Sequence, residues 1–93
     1  MTTEKDFSQQ VYDLGRLRGW HCYRAWLSVH SPAGFPDLLM VRGDRIIAAE
    51  LKTGKGKLTL VQEEWLGALA ATGKVETHCW RPEHWPQVEE ALA

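Results

Sequence analysis

The stretch Pro36-Asp37-Leu38-Leu39-Met40-Val41-Arg42-Gly43-Asp44-Arg45-Ile46-Ile47-Ala48-Ala49-Glu50-Leu51-Lys52 decides how this chain folds. Two runs of aliphatic residues flank Gly43-Asp44, a two-residue loop whose leading glycine fits a type II′ turn. Pairing outward from that turn sets Arg42 opposite Arg45, Met40 opposite Ile47, and Asp37 opposite Glu50. Side chains alternate faces along a strand, so Lys52 shares a face with Glu50. Two carboxylates directly across a ladder repel and weaken a hairpin. A divalent cation between them turns that repulsion into a binding site. The pattern predicts a metal-dependent phosphodiester-cleaving centre with a lysine beside it.

Taken alone, Glu50-x-Lys52 is also the pattern of a solvated ion pair on an exposed strand. Three features favour chemistry. The register aligns the two acids. Leu38, Leu39, Ile46, Ile47 and Ala49 surround them, which places them on a partly buried sheet. Gly34-Phe35-Pro36 comes immediately before Asp37, and its glycine leaves room for a close backbone approach.

Working outward, residues 3–18 read as a helix, with Phe7, Val11 and Leu14 at helical spacing and Gly19 as its stop. Trp20 to Val29 reads as a first strand, and Ser31-Pro32-Ala33-Gly34 as the loop into the hairpin. Gly54 and Gly56 mark a flexible basic connection. Thr59-Leu60-Val61-Gln62 matches a capping box, opening a helix that runs to about Thr72 with Gly73 as its end. Val75 to Trp80 reads as a short strand, and Pro82 begins a last turn or helix ending near Leu92. The order helix, three strands, helix, strand, helix predicts an α/β sandwich. Its first three strands form an antiparallel meander, and the fourth joins after the second helix.

At 93 residues the chain reads as one domain over 1–93, with a modest core that a homodimer helps to complete. Hydrophobic content of 44% and charged content of 25% are ordinary for a globular chain. No apolar run approaches the roughly 18 residues of a membrane span. The N-terminus lacks a signal peptide's apolar stretch, so the expected location is the cytoplasm, of its own cell or of a host's. Two cysteines, Cys22 and Cys79, suggest reduced thiols rather than a disulfide framework. The net charge of −1 does not advertise nucleic-acid binding, but its distribution does. Residues 1–57 hold nine Lys/Arg against six Asp/Glu, and residues 58–93 hold two against six. A locally basic face on a near-neutral protein binds phosphate backbones with salt-sensitive affinity.

The run Gly34-Phe35-Pro36-Asp37-Leu38, followed by Ala49-Glu50-Leu51-Lys52-Thr53-Gly54-Lys55-Gly56-Lys57-Leu58-Thr59 and Gln62, closely resembles the VRR-NUC family. These are the virus-type replication and repair nucleases of the PD-(D/E)xK superfamily. The likeness extends to Glu4 and Gln10, to Gly19-Trp20, and to Cys79-Trp80-Arg81-Pro82. It covers nearly the whole chain, which looks like a minimal stand-alone member of the kind common in bacteriophages. One departure is a short loop before Gly34 that carries His30 but no arginine or lysine.

The resemblance implies a restriction-endonuclease-like fold and Asp37 and Glu50 as ligands of Mg²⁺ or Mn²⁺, with the backbone carbonyl of Leu51 as a further ligand. A water of lowered pKa then attacks phosphorus. Lys52 orients that water or stabilises charge on the phosphate. The stand-alone members suggest a homodimer cutting branched DNA such as Holliday junctions. The alternatives are a non-catalytic DNA-binding or packaging accessory module, and a nickase or flap nuclease within a larger replication assembly.

Other residues carry paired readings. Glu4 lies about 20° from Val11 on the helical wheel, on the stripe of Phe7. It is either a carboxylate that reaches the cation directly or through water, or a favourable first-turn acid at the helix end. Gln10 flanks that stripe, as a hydrogen-bonding partner of a ligand or phosphate or as a plain surface residue. Gln62 completes the capping box, yet also sits at a helix N-terminus beside the lysine-rich loop, where anions bind. Lys55 and Lys57 read as phosphate contacts or solvated side chains. His30 and His84 are candidates to touch DNA, and Trp26 to stack on a base. His21-Cys22 and His78-Cys79 look like a zinc set, but neighbours on a strand point to opposite faces.

Overall fold

The computed structural model describes residues 2–25 and 33–93. Helix α1 spans Glu4–Leu17, followed by strands β1 (His21–Arg24), β2 (Leu38–Arg42) and β3 (Arg45–Leu51). Helix α2 (Leu60–Ala71), strand β4 (Glu76–Trp80), a 3₁₀ turn at Pro82–His84 and helix α3 (Trp85–Ala91) complete the chain. The sheet order is β1-β2-β3-β4, antiparallel except that β4 lies parallel to β3. This is the meander with a strand added after the second helix that the sequence predicts.

The hairpin register is the predicted one. Arg42 pairs with Arg45, Met40 with Ile47 and Leu38 with Ala49. Gly43 has φ +61°, and no non-glycine residue among those described has positive φ. With Asp44 at negative φ the loop is II′ rather than I′.

One face of the sheet builds the core. Leu38, Met40, Ile47, Ala49, Leu51 and Trp80 pack there against Phe7 and Val11 of α1 and Val88 and Leu92. Helix α1 starts where Thr3 accepts the Asp6 N–H at 3.0 Å, a cap not foreseen from the sequence. Helix α2 starts where Thr59 accepts the Gln62 N–H at 3.2 Å and Gln62 accepts the Thr59 N–H at 2.9 Å, the predicted reciprocal box.

Helix α3 and the chain after it are held by donors from far away in sequence. Arg18 donates to the Glu89 carbonyl at 2.7 Å, Arg45 to that of Ala91 at 2.9 Å, and Arg42 to that of Ala93 at 2.8 Å. Trp20 Nε1 donates to the Leu92 carbonyl at 3.2 Å. The last carbonyls of a helix have no partner within it, and these side chains supply one.

The first strand is shorter than Trp20–Val29. It runs from His21 to Arg24, and Trp20 is instead a buried residue beneath the Arg42 and Arg45 guanidiniums, 4.5 and 4.9 Å away. A tryptophan that can bury its ring and still satisfy its N–H has more to gain there than in an edge ladder. Residues 26–32, and with them Trp26 and His30, lie outside the described residues.

The face of the sheet opposite the core is only half covered. Helix α2 lies over β3 and β4, and none of its own residues is buried. Leu60 and Val61 of α2 are exposed, as are Tyr23 and Val41 on the uncovered strands. Among the described residues no helix is long and apolar enough to cross a membrane.

Candidate active site

The end of the sheet where β2 begins and β3 stops gathers the predicted residues. Asp37 precedes Leu38, the last paired residue of the hairpin, and so falls opposite Glu50. Two backbone bonds pin it. Its carbonyl accepts the Ala25 N–H at 2.9 Å, and its Oδ2 accepts the Leu51 N–H at 2.9 Å. A strand residue points its N–H and C=O toward the same edge. The Leu51 carbonyl therefore faces the edge occupied by Asp37, whereas the next amide, Lys52 N–H, points to β4 and the Trp80 carbonyl at 3.0 Å.

Glu50 is only 2% exposed. Its Oε2 accepts from Gln62 Nε2 at 2.9 Å and lies 3.5 Å from Lys52 Nζ. Its Oε1 is buried with no hydrogen-bond partner. Burial, followed by repulsion from Asp37, pushes the Glu50 acid up to about 7, against the opposing pull of the Lys52 ammonium. A buried carboxylate oxygen beside a second acid calls for a partner, which a water, a cation or a shared proton can supply.

The loop before Asp37 sets the position of α2. Gly34 has φ +81°, and a Cβ there would come within 2.9 Å of the Val61 backbone. Phe35 meets Trp65 edge-on at 5.1 Å. Val61 and Trp65 are four residues apart and so share one face of the helix. This docking turns Gln62 toward Glu50. The Gln62 amide has no free choice of orientation, because its oxygen is taken by the Thr59 N–H and its nitrogen must face the carboxylate.

A cleft of about 140 Å³ opens beside the acids, lined by Glu4, Lys5, Ser8, Asp37 and Leu51. Glu4 is exposed, in the first turn of α1, and lines this cleft together with Asp37. Among the described residues no group of three His, Cys, Asp or Glu side chains is placed to enclose a metal ion. The donors present are two carboxylates, one of them with an unsatisfied oxygen, a backbone carbonyl on the same edge, and open space for water. That set fits a hard cation such as Mg²⁺, which keeps several waters and seeks few protein oxygens.

The other sequence candidates are placed as follows. Lys55 and Lys57 are exposed on the loop between β3 and α2. Gln10 is exposed and does not line the cleft. The two His-Cys pairs lie on β1 and β4, the opposite edges of the sheet, and do not converge. Cys22 and Cys79 are free. The sequence does not single out Lys5 or Ser8, and it marks Arg81 only as part of the Cys79-Trp80-Arg81-Pro82 run, with no role of its own. Lys5 and Ser8 are reachable by adding one and four to Glu4 on a helix, whereas nothing in the residues around Arg81 marks what its side chain bonds to.

Searches of protein-family models and of curated proteins return no match. Among solved structures the chain is similar to Hjc of Archaeoglobus fulgidus, a Holliday junction resolvase from an archaeal hyperthermophile, with 23% identity and a TM-score of 0.59. The match covers 82% of this chain and 66% of the resolvase, just under two thirds of its length. A mixed four-stranded sheet, three helices and this neighbour together assign the chain a restriction-endonuclease-like fold.

Proposed function

We propose that this chain is a Mg²⁺- or Mn²⁺-dependent endonuclease of the VRR-NUC type that hydrolyses phosphodiester bonds in branched DNA. The observation that carries this reading is the acid pair formed by the buried Glu50 and the half-buried Asp37. Asp37 faces Glu50, one Glu50 oxygen lacks a partner, and Lys52 stands 3.5 Å from the other. The resolvase neighbour supports the choice of branched DNA as substrate.

In this reading Asp37, Glu50 and the Leu51 carbonyl hold the cation, and Glu4 reaches it through an intervening water. The bound cation supplies a water of lowered pKa and neutralises charge on the phosphate. Lys52 orients the nucleophile and stabilises charge developing on phosphorus oxygens. Gln62 keeps the Glu50 carboxylate turned toward the cation. Lys55 and Lys57, with Gln10 and His30, contact the DNA backbone.

A homodimer accompanies this function. Tyr23 and Val41 are exposed on the sheet, Leu60 and Val61 on α2, and a second copy is the occupant proposed to cover them. A two-fold pair presents two centres, suited to symmetrical nicks across a junction.

The test is a cleavage panel of four-way junctions, flaps, nicked duplex and single strands in Mg²⁺, Mn²⁺ and EDTA, run beside a solution mass measurement. Metal-dependent cutting of junctions that Asp37→Asn and Lys52→Ala abolish supports the reading. Tight DNA binding indifferent to EDTA, with no product in any metal, replaces it with a non-catalytic binding module.

A further inference from the structure

Arg81 is an arginine at the end of β4 with no carboxylate partner among the described residues. Its guanidinium instead reaches across to the loop after β3. Nη2 donates to the Gly56 carbonyl at 2.5 Å and Nη1 approaches the Gly54 carbonyl at 3.4 Å. Trp80, the residue before it, accepts the Lys52 N–H at 3.0 Å. Two consecutive residues, the last of β4 and the one after it, therefore tie down Lys52, Gly54 and Gly56. Inside the loop the backbone is tied by the Gly56 N–H to the Thr53 carbonyl at 3.1 Å, and Gly54 sits at φ +57°. A segment with two glycines and one turn bond has little order of its own.

We propose that Arg81 is a positioning residue for DNA binding: its guanidinium fixes the 53–57 loop so that Lys55 and Lys57 meet the phosphate backbone beside the cleft. The proposal rests on the nuclease reading above. The planar fork of arginine suits two carbonyls on one loop, where a lysine ammonium offers a point charge without that geometry. Its positive charge is not cancelled by an acid, so it adds to the field of the two lysines rather than subtracting from it. The entropic cost of ordering the loop is met in the free protein instead of at the moment of DNA binding.

The experiment compares wild type with Arg81→Gln and Arg81→Lys, each alone and in a Lys55→Ala/Lys57→Ala background. Junction cleavage is followed for KM and kcat, and tryptic cutting after Lys55 and Lys57 is followed in the DNA-free protein. Both Arg81 variants are expected to raise KM about fivefold to tenfold, more than they lower kcat, and to speed tryptic cutting of the loop by a similar factor. In the background lacking both lysines, Arg81→Gln is expected to add less than about twofold, because residues that act through one another are not additive. Unchanged KM in both variants, unchanged loop protection, or a KM cost that persists in full without the lysines overturns the proposal. If Arg81→Gln fails to fold, Arg81→Lys, which keeps the charge and loses the fork, carries the same comparison. A wild type that cuts no DNA in any metal sinks the nuclease reading instead, and the tryptic arm still reports on the loop.

Discussion

The β2–β3 hairpin sets like charges opposite each other at both of its ends, and the molecule treats the two pairs differently. At the turn, Arg42 faces Arg45. Both guanidiniums lie over Trp20, and their donors go to the carbonyls of Arg18, Ala91 and Ala93 and to the Glu76 carboxylate. At the open end, Asp37 faces Glu50 with one amide on the first, one amide and one ammonium on the second, and an oxygen left without a partner. The basic pair has been absorbed into the fold. In the acidic pair Glu50 has been buried beside a half-buried Asp37 and left partly uncompensated, which costs stability unless something arrives to complete it. The same ladder thus shows what a structural pair and a functional pair look like.

The largest expected effect separates the two ends. Glu50→Gln keeps the shape of the side chain and removes its charge. Cleavage is expected to fall by about a thousandfold or more, while the metal-free protein at pH 8 gains about 1–3 kcal/mol and melts several degrees higher. Activity assays and thermal unfolding check this pair of outcomes. A lower melting temperature makes the carboxylate structural and erases the contrast. Mn²⁺ is expected to raise the melting temperature of the wild type and not of this variant.

The turn end should answer with the opposite sign. Arg42→Ala with Arg45→Ala is expected to cost about 2–4 kcal/mol by urea denaturation, while cleavage per folded molecule persists. The Arg45–Glu76 ion pair is partly exposed, 35% and 41%, and contributes little of that. The carbonyls of the chain end and the Trp20 ring contribute the rest.

The pH dependence sharpens the comparison further. Burial first, and Asp37 second, raise Glu50 from the ordinary glutamate range to about 7. A cation binds the carboxylate and not the acid, so protons compete with metal below that value. The metal concentration needed for half-saturation is expected to rise by about fivefold from pH 7 to pH 6, and calorimetric titration with Mn²⁺ reads it. The raised acid has a second consequence of known sign. Its contribution to the stability of the metal-free protein is present below the ordinary glutamate range and is lost as pH rises through 7. A flat response between pH 5 and 8 contradicts both.

The smallest effect belongs to Gln62. Gln62→Ala breaks one arm of the α2 cap and frees Glu50 Oε2, and is expected to cost about 1 kcal/mol of stability and about tenfold in cleavage. Unfolding and kinetics on one preparation separate the two losses.

Much of the acidic end was legible in the sequence, because hairpin register follows from a two-residue turn and a period of two. Gly43-Asp44 was enough to align Asp37 with Glu50, and Thr59-x-x-Gln62 was enough to begin α2. The basic end was not legible. Its bonds run from Arg18, Arg42 and Arg45 to main-chain carbonyls up to seventy-one positions away, and a carbonyl acceptor leaves no trace in the residue that owns it. The partners of Arg81 are illegible for the same reason, since they are the carbonyls of Gly54 and Gly56. Trp20 was assigned to a strand on composition, when its place was decided by two guanidiniums from another part of the chain. Glu4 looked like a buried stripe residue on the helical wheel, and its position in the first turn lets it reach the solvent-facing rim of the cleft.

The bond from the Leu51 amide to Asp37 makes the peptide backbone a ruler. It sets how far apart the two acids stand, independent of whether anything lies between them. An aspartate spans the gap; a glutamate, one methylene longer, must either coil back or let go of the amide. At position 37 length therefore matters as much as charge, and the conservative exchange of one acid for the other is as disruptive as removing it.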